Sequence, residues 1–113
     1  MTTGWVKALT IALMLFNATK SFANDIFLEA YGDSIELSLI QKNGQDNNID
    51  IYANGNNNSI SIVQDGSYNI ADVTQTGPEP TTTTINQTGD NFNTTVTQYC
   101  NTQGGCSVTV TQY

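Results

Sequence analysis

Gln41, Gln64 and Gln87 lie 23 residues apart, and Gln112 follows after a further 25. A fixed interval of this length means that one supersecondary unit is repeated along the chain. Before each glutamine, apolar residues or Thr fall at alternate positions: Ile35, Leu37 and Leu39; Ile60 and Ile62; Thr83 and Ile85; Val108 and Val110. An alternation of two is the signature of a β-strand with one buried face. After each of the first three glutamines comes a bend containing Gly44, Gly66 or Gly89, and then a second alternating run: Ile49, Ile51 and Ala53; Ala71, Val73 and Gln75; Thr94, Val96 and Gln98. Each unit is therefore strand, turn, strand.

One such arc cannot bury its own apolar face, so arcs must stack on one another. Stacking at the repeat interval sets Gln on Gln, Asn on Asn and Ile on Ile about 4.8 Å apart, a spacing at which side-chain amides form ladders. A leucine-rich repeat of similar length is excluded because its leucine framework and helical segment are missing. The expected fold is all-β, a cross-β solenoid with two strands per rung and about four rungs. Its amide rows are Gln41, Gln64, Gln87 and Gln112 on one strand type and Gln75 and Gln98 on the other. The register also extends backwards: Asn24, Ile26, Leu28, Ala30 and Gly32 each lie 23 residues before Asn47, Ile49, Ile51, Ala53 and Gly55. Residues 24–113 thus begin with a second-type strand and finish with a first-type strand over 107–112, so that one rung is split between the two ends. Ile26, Leu28 and Ala30 at one end, and Val108 and Val110 at the other, are the expected assembly edges through which one molecule completes the rung of the next.

Composition fits this reading. Asn, Gln, Thr and Ser supply 40 of residues 24–113, too polar for an ordinary sandwich or helical core and typical of β-prone Asn/Gln-rich sequence. Those residues hold all ten acids and Lys42 as their only base. Binding to nucleic acid needs clustered Lys and Arg, so no nucleic-acid partner is expected. The chain has no His, which removes imidazole bases, Ser/His/Asp and Cys/His couples and His-ligated zinc. Residues 1–23 follow a different grammar: Lys7, an apolar stretch over 8–16, then a polar section ending Ser21-Phe22-Ala23. This reads as a secretory signal peptide preceding a mature part of residues 24–113. Only twelve residues separate Lys7 from Lys20, where a membrane-spanning helix needs about 20 apolar ones.

Between Ser61 and Gln75 the text resembles a curlin repeat: Gln64, Gly66 two positions on, Asn69 five on, Ala71 seven on and Gln75 eleven on. Weaker copies start at Gln41, with one inserted residue, and at Gln87, where Phe92 stands in the Asn slot. The core residues that the resemblance implies are Gln41, Gln64, Asn69, Gln75, Gln87 and Gln98, with Ser34 and Asn47 as weaker matches. It further implies a subunit, major or minor, of curli, the extracellular amyloid fibres of bacterial biofilms and adhesion, secreted through an outer-membrane pore. Its implied partners are other copies of itself, other curlin subunits including a nucleator, and that pore. Three features depart from the pattern. No Gly-rich leader follows the expected cleavage site, Pro78-Glu79-Pro80 interrupts one linker, and two cysteines are added.

Cys100 and Cys106 flank the only linker with two extra residues, and an even count in a secreted chain points to a local disulfide. A metal site there would need further soft ligands, which the chain lacks. The stretch 46–50 opens like a calcium loop but has no Gly at its sixth position and no Glu at its twelfth. Glu36, Asp50, Asp65 and Asp72 fall on outward positions with no cleft to desolvate them, so no glycosidase pair, no enzyme activity and no cofactor are expected. The alternative is a monomeric secreted solenoid that binds ice or carbohydrate. Against it, Ser38, Ser61, Asp50 and Asp72 interrupt any continuous Thr row, and the seven aromatics of residues 24–113 share no single repeat offset.

Overall fold

The computed structural model describes residues 9–16 and 24–113. Nine strands follow one another: β1 (Leu9–Phe16), β2 (Asp25–Tyr31), β3 (Ile35–Lys42), β4 (Asn48–Gly55), β5 (Asn58–Asp65), β6 (Ile70–Gly77), β7 (Thr81–Thr88), β8 (Asn93–Tyr99) and β9 (Cys106–Gln112). Odd strands form one sheet in the order β1-β3-β5-β7-β9, and from β2 to β8 the even strands form the other, β2-β4-β6-β8. Every neighbouring pair is parallel. The chain crosses to the opposite sheet at each turn, which makes the expected all-β, two-strand-per-rung solenoid of about four turns.

The repeat interval sets the register. Gln41 pairs with Gln64, Gln64 with Gln87 and Gln87 with Gln112. From β4 to β6 the step is 22 residues, Ile49 opposite Ala71, because the first arc holds one extra residue. That arc absorbs it with Asn43 and Asp46 in the left-handed region, at φ 55° and 54°, a conformation Asn and Asp tolerate better than other side chains. Alternate residues of β3 to β8 point into the gap between the sheets. The apolar core is Ile35, Leu37, Leu39, Ile49, Ile51, Ala53, Ile60, Ile62, Ala71, Val73, Ile85 and Val96. Each large member contributes about 1.5–3 kcal/mol by leaving water. Backbone bonds tie the corners from rung to rung as well: Asn48 N–H donates to the Asn69 carbonyl and Ile70 N–H to that of Phe92. Pro78 and Pro80 lie in the turn between β6 and β7, where they remove no ladder hydrogen bond.

Among the described residues the strands number nine, one more than the repeat pattern predicts. Residues 9–16, expected to lie within a signal peptide, form β1 on the outer edge of β3, with Leu9 opposite Ile35 and Leu15 opposite Gln41. The backbone of an open strand edge accepts any extended segment of suitable length, and β1 thereby fills beside β2 the half-rung expected to stand open. Residues 1–8 and 17–23, with the expected cleavage point after Ala23, lie outside the described residues.

Candidate functional site

Two rows of glutamine amides run through the core along the stacking direction. In the first, Gln41 Nε2 donates to Gln64 Oε1 at 2.9 Å, Gln64 Nε2 to Gln87 Oε1 at 3.0 Å, and Gln87 Nε2 to Gln112 Oε1 at 3.1 Å. All three donors point toward the C-terminal rung, so the row has a polarity. The nitrogens of Gln64 and Gln87 also reach across to the carbonyls of Asn48 and Ile70, which fastens one sheet to the other. The second row is shorter. Gln75 Nε2 donates to Gln98 Oε1 at 3.3 Å and to Thr83 Oγ1, while Thr83 donates to Gln98 Oε1 at 2.8 Å. Above Gln75 the row stops, because its register partner is Ala53, and the Gln75 Oε1 atom is buried without a donor.

Thr83 and Thr94 are working members of these rows that the repeat pattern presents only as strand positions. Thr94 Oγ1 accepts from Gln87 Nε2 at 3.1 Å and donates to Gln112 Oε1 at 2.7 Å. Asn58 and Thr81 are buried too, at one edge of the core, although the spacing does not single them out. The inward parity of each in its own strand is the available signal.

Asn47 and Asn69 are buried, but they do not stack amide on amide as expected. Asn47 Oδ1 accepts the backbone N–H of Asn69, and Asn69 Oδ1 that of Phe92, while their Nδ2 groups donate to the carbonyls of Gly66 and Gly89. They are corner braces: a short side chain at a turn reaches backbone groups before it reaches its counterpart one rung away. Phe92 ends the row, having no side-chain acceptor to offer the next rung.

The edge residues Ile26, Leu28, Ala30, Val108 and Val110 are partly buried and pack on the core. Cys100 and Cys106 are joined in a disulfide across the linker before β9, with a Cα separation of 5.8 Å. Ser34, a weaker match, sits exposed at a corner with φ 57°.

The outward faces carry most of the charge. Asp50 and Asp72 are register partners on adjacent strands, and Lys42 pairs with Asp65 through an ion pair of 3.3 Å. Like charges placed opposite one another cost something up to about 1 kcal/mol, and salt screens them. Asp72→Asn is therefore expected to raise stability and speed association at low ionic strength, with the gain shrinking in high salt; Lys42→Glu is expected to act in the opposite sense. Thermal unfolding at two salt concentrations checks both, and an Asp72→Asn midpoint equal to that of the parent in low salt refutes the repulsion.

No curated protein and no solved structure gives a significant match. The family model of the curlin associated repeat matches residues 44–77, which run from the first bend through β4 and β5 to the end of β6 and contain Asn47, Gln64, Asn69 and Gln75. With parallel strands in register and polar amide rows at the matched positions, residues 44–77 carry a curlin associated repeat.

Proposed function

We propose that this chain is a secreted structural subunit of extracellular curli-type amyloid fibres, joining head-to-tail by strand stacking in a biofilm matrix and in surface adhesion. One observation carries the reading: the two ends of the solenoid continue each other's columns. Extending the register of β6 and β8 by one rung sets Tyr31 of a second copy beside Tyr99, two exposed rings at opposite ends of one column. The same step on the other sheet sets its Gln41 beside Gln112 and its Leu37 and Leu39 beside Val108 and Val110. Among the described residues no strand of the four-stranded sheet lies beside β9, and β2 of a second copy fits that place. The role is structural rather than catalytic. Residues 1–23 act as the signal peptide, and a nucleator subunit and an outer-membrane pore are the further partners of this reading.

Purified and incubated alone, the chain is expected to form thioflavin-positive fibres after a lag that preformed fibres abolish. Deleting residues 107–113 is expected to slow elongation by about tenfold or more, since it removes a whole row of cross-strand contacts from the junction. Equal elongation rates with and without those residues overturn head-to-tail addition. A thioflavin-negative monomer with thermal hysteresis, or one that binds polysaccharide, supports the ice- or carbohydrate-binding alternative instead.

A further inference from the structure

The first amide row has a flaw at its upstream end. Gln41 is buried, yet its Oε1 atom has no hydrogen-bond partner. Its donor should come from the rung above, because each nitrogen in the row points downstream. The register partner of Gln41 in that rung is Leu15 of β1, and leucine has nothing to donate. In the other pairings Leu9, Ile11 and Leu13 are the register partners of Ile35, Leu37 and Leu39.

A second strand in the molecule matches that edge in every column. If β9 of another copy lay on β3 in the register that it keeps on β7, then Cys106, Val108 and Val110 would stand over Ile35, Leu37 and Leu39, and Gln112 over Gln41. The amide nitrogen of Gln112 is the next donor in the row, and Gln41 Oε1 is an acceptor that lacks one. The backbone ladder is the same for either strand, so the two differ in the residues they set at these register positions, and only β9 supplies the amide.

We propose that β1 is a resident cap: it holds, within the same chain, the place on β3 that β9 of a second copy takes in the fibre, and it is replaceable because it sets Leu15 where the row requires an amide. The proposal rests on the head-to-tail reading above and adds a control to it. Each junction in such a fibre joins one β9 to one β3, so a chain that keeps its cap cannot present β3 to the growing end of another. Loss of residues 1–23 opens that edge, and a chain still carrying them adds there only when β1 is displaced. Strand replacement on an open sheet edge is an established way for one chain to complete another.

The test uses the full chain and two variants of β1. Leu15→Gln gives Gln41 its missing donor within the chain and tightens the cap; Leu13→Pro removes an N–H from the middle of β1 and loosens it. In seeded growth followed by thioflavin fluorescence, Leu15→Gln is expected to elongate about tenfold more slowly than the parent, consistent with satisfying one buried acceptor, and Leu13→Pro faster than the parent. Hydrogen exchange of the soluble chain supplies a second reading: amides in 35–42 are expected to be protected in the parent, more so in Leu15→Gln, and to exchange freely in Leu13→Pro. Fibres that grow at one rate from all three forms, with equal protection of 35–42, overturn the cap and leave head-to-tail assembly standing. No fibres from any form, including residues 24–113 alone, overturn the assembly reading and the cap with it.

Discussion

Gly55→Ala is expected to lower the thermal midpoint of the soluble chain by about 12 °C or more, the shift that roughly 3 kcal/mol produces in a domain of this size. Two effects combine. Gly55 ends β4 with φ at 143°, a region closed to residues with a side chain, and strain of that kind costs about 1–3 kcal/mol. A Cβ at Gly55 would also fall on the carbonyl oxygen of Gly77 in the rung below, with no flexible side chain to yield. The rungs would have to part at that corner, and in a stack the displacement passes to the next arc. Gly104, in the disulfide-closed linker, separates the two effects. Its φ is 101°, but a Cβ there would meet nothing within 4 Å, so Gly104→Ala carries the strain alone and is expected to cost about half as much or less. Circular dichroism melting of both variants is the measurement. Equal losses would show that close approach of the rungs at this corner contributes nothing.

Strand positions, their pairing and the two glutamine rows were legible in the sequence because a repeat turns spacing into register. Once Gln41, Gln64 and Gln87 are stacked, the pair Lys42 with Asp65 follows directly, and the pair Asp50 with Asp72 follows once the single extra residue of the first turn is counted. Corner geometry was not legible in this way. The bonds of Asn47 and Asn69 depend on how the backbone bends at 43–46 and 66–68, and spacing says only that the asparagines lie near one another. The hydroxyl partners were hidden for another reason. Thr occupies outward columns as readily as inward ones, so Thr83 and Thr94 acquire meaning only when Gln75, Gln87 and Gln98 are known to face them across the gap. The strand at 9–16 was missed because a short apolar run reads equally as a targeting segment and as a buried strand. What distinguishes the readings is an open β3 edge nearby, a property of the assembled stack.

Gln64→Ala is expected to be strongly destabilising, by about 3–6 kcal/mol if the three bonds it breaks each leave one buried group unsatisfied. Gln64 accepts from Gln41 and donates to both Gln87 and the Asn48 carbonyl, so its loss interrupts the row in both directions and unfastens the two sheets at one point. In fibre growth the same loss is expected to lengthen the lag, because a nucleus must form these buried bonds before it has neighbours to support them. Gln64→Leu decides between hydrogen bonding and packing. It restores most of the volume and none of the bonds, so it is expected to remain nearly as destabilised as Gln64→Ala, whereas recovery toward the parent would assign the stability to filled space. Gln45→Ala is the control: its side chain bonds the Tyr68 hydroxyl at 2.8 Å on the exposed surface, where water replaces the lost partner. A turn residue and a row residue with equal effects would mean that the amides do not hold the stack together, and that the rungs are kept by backbone and apolar contacts alone.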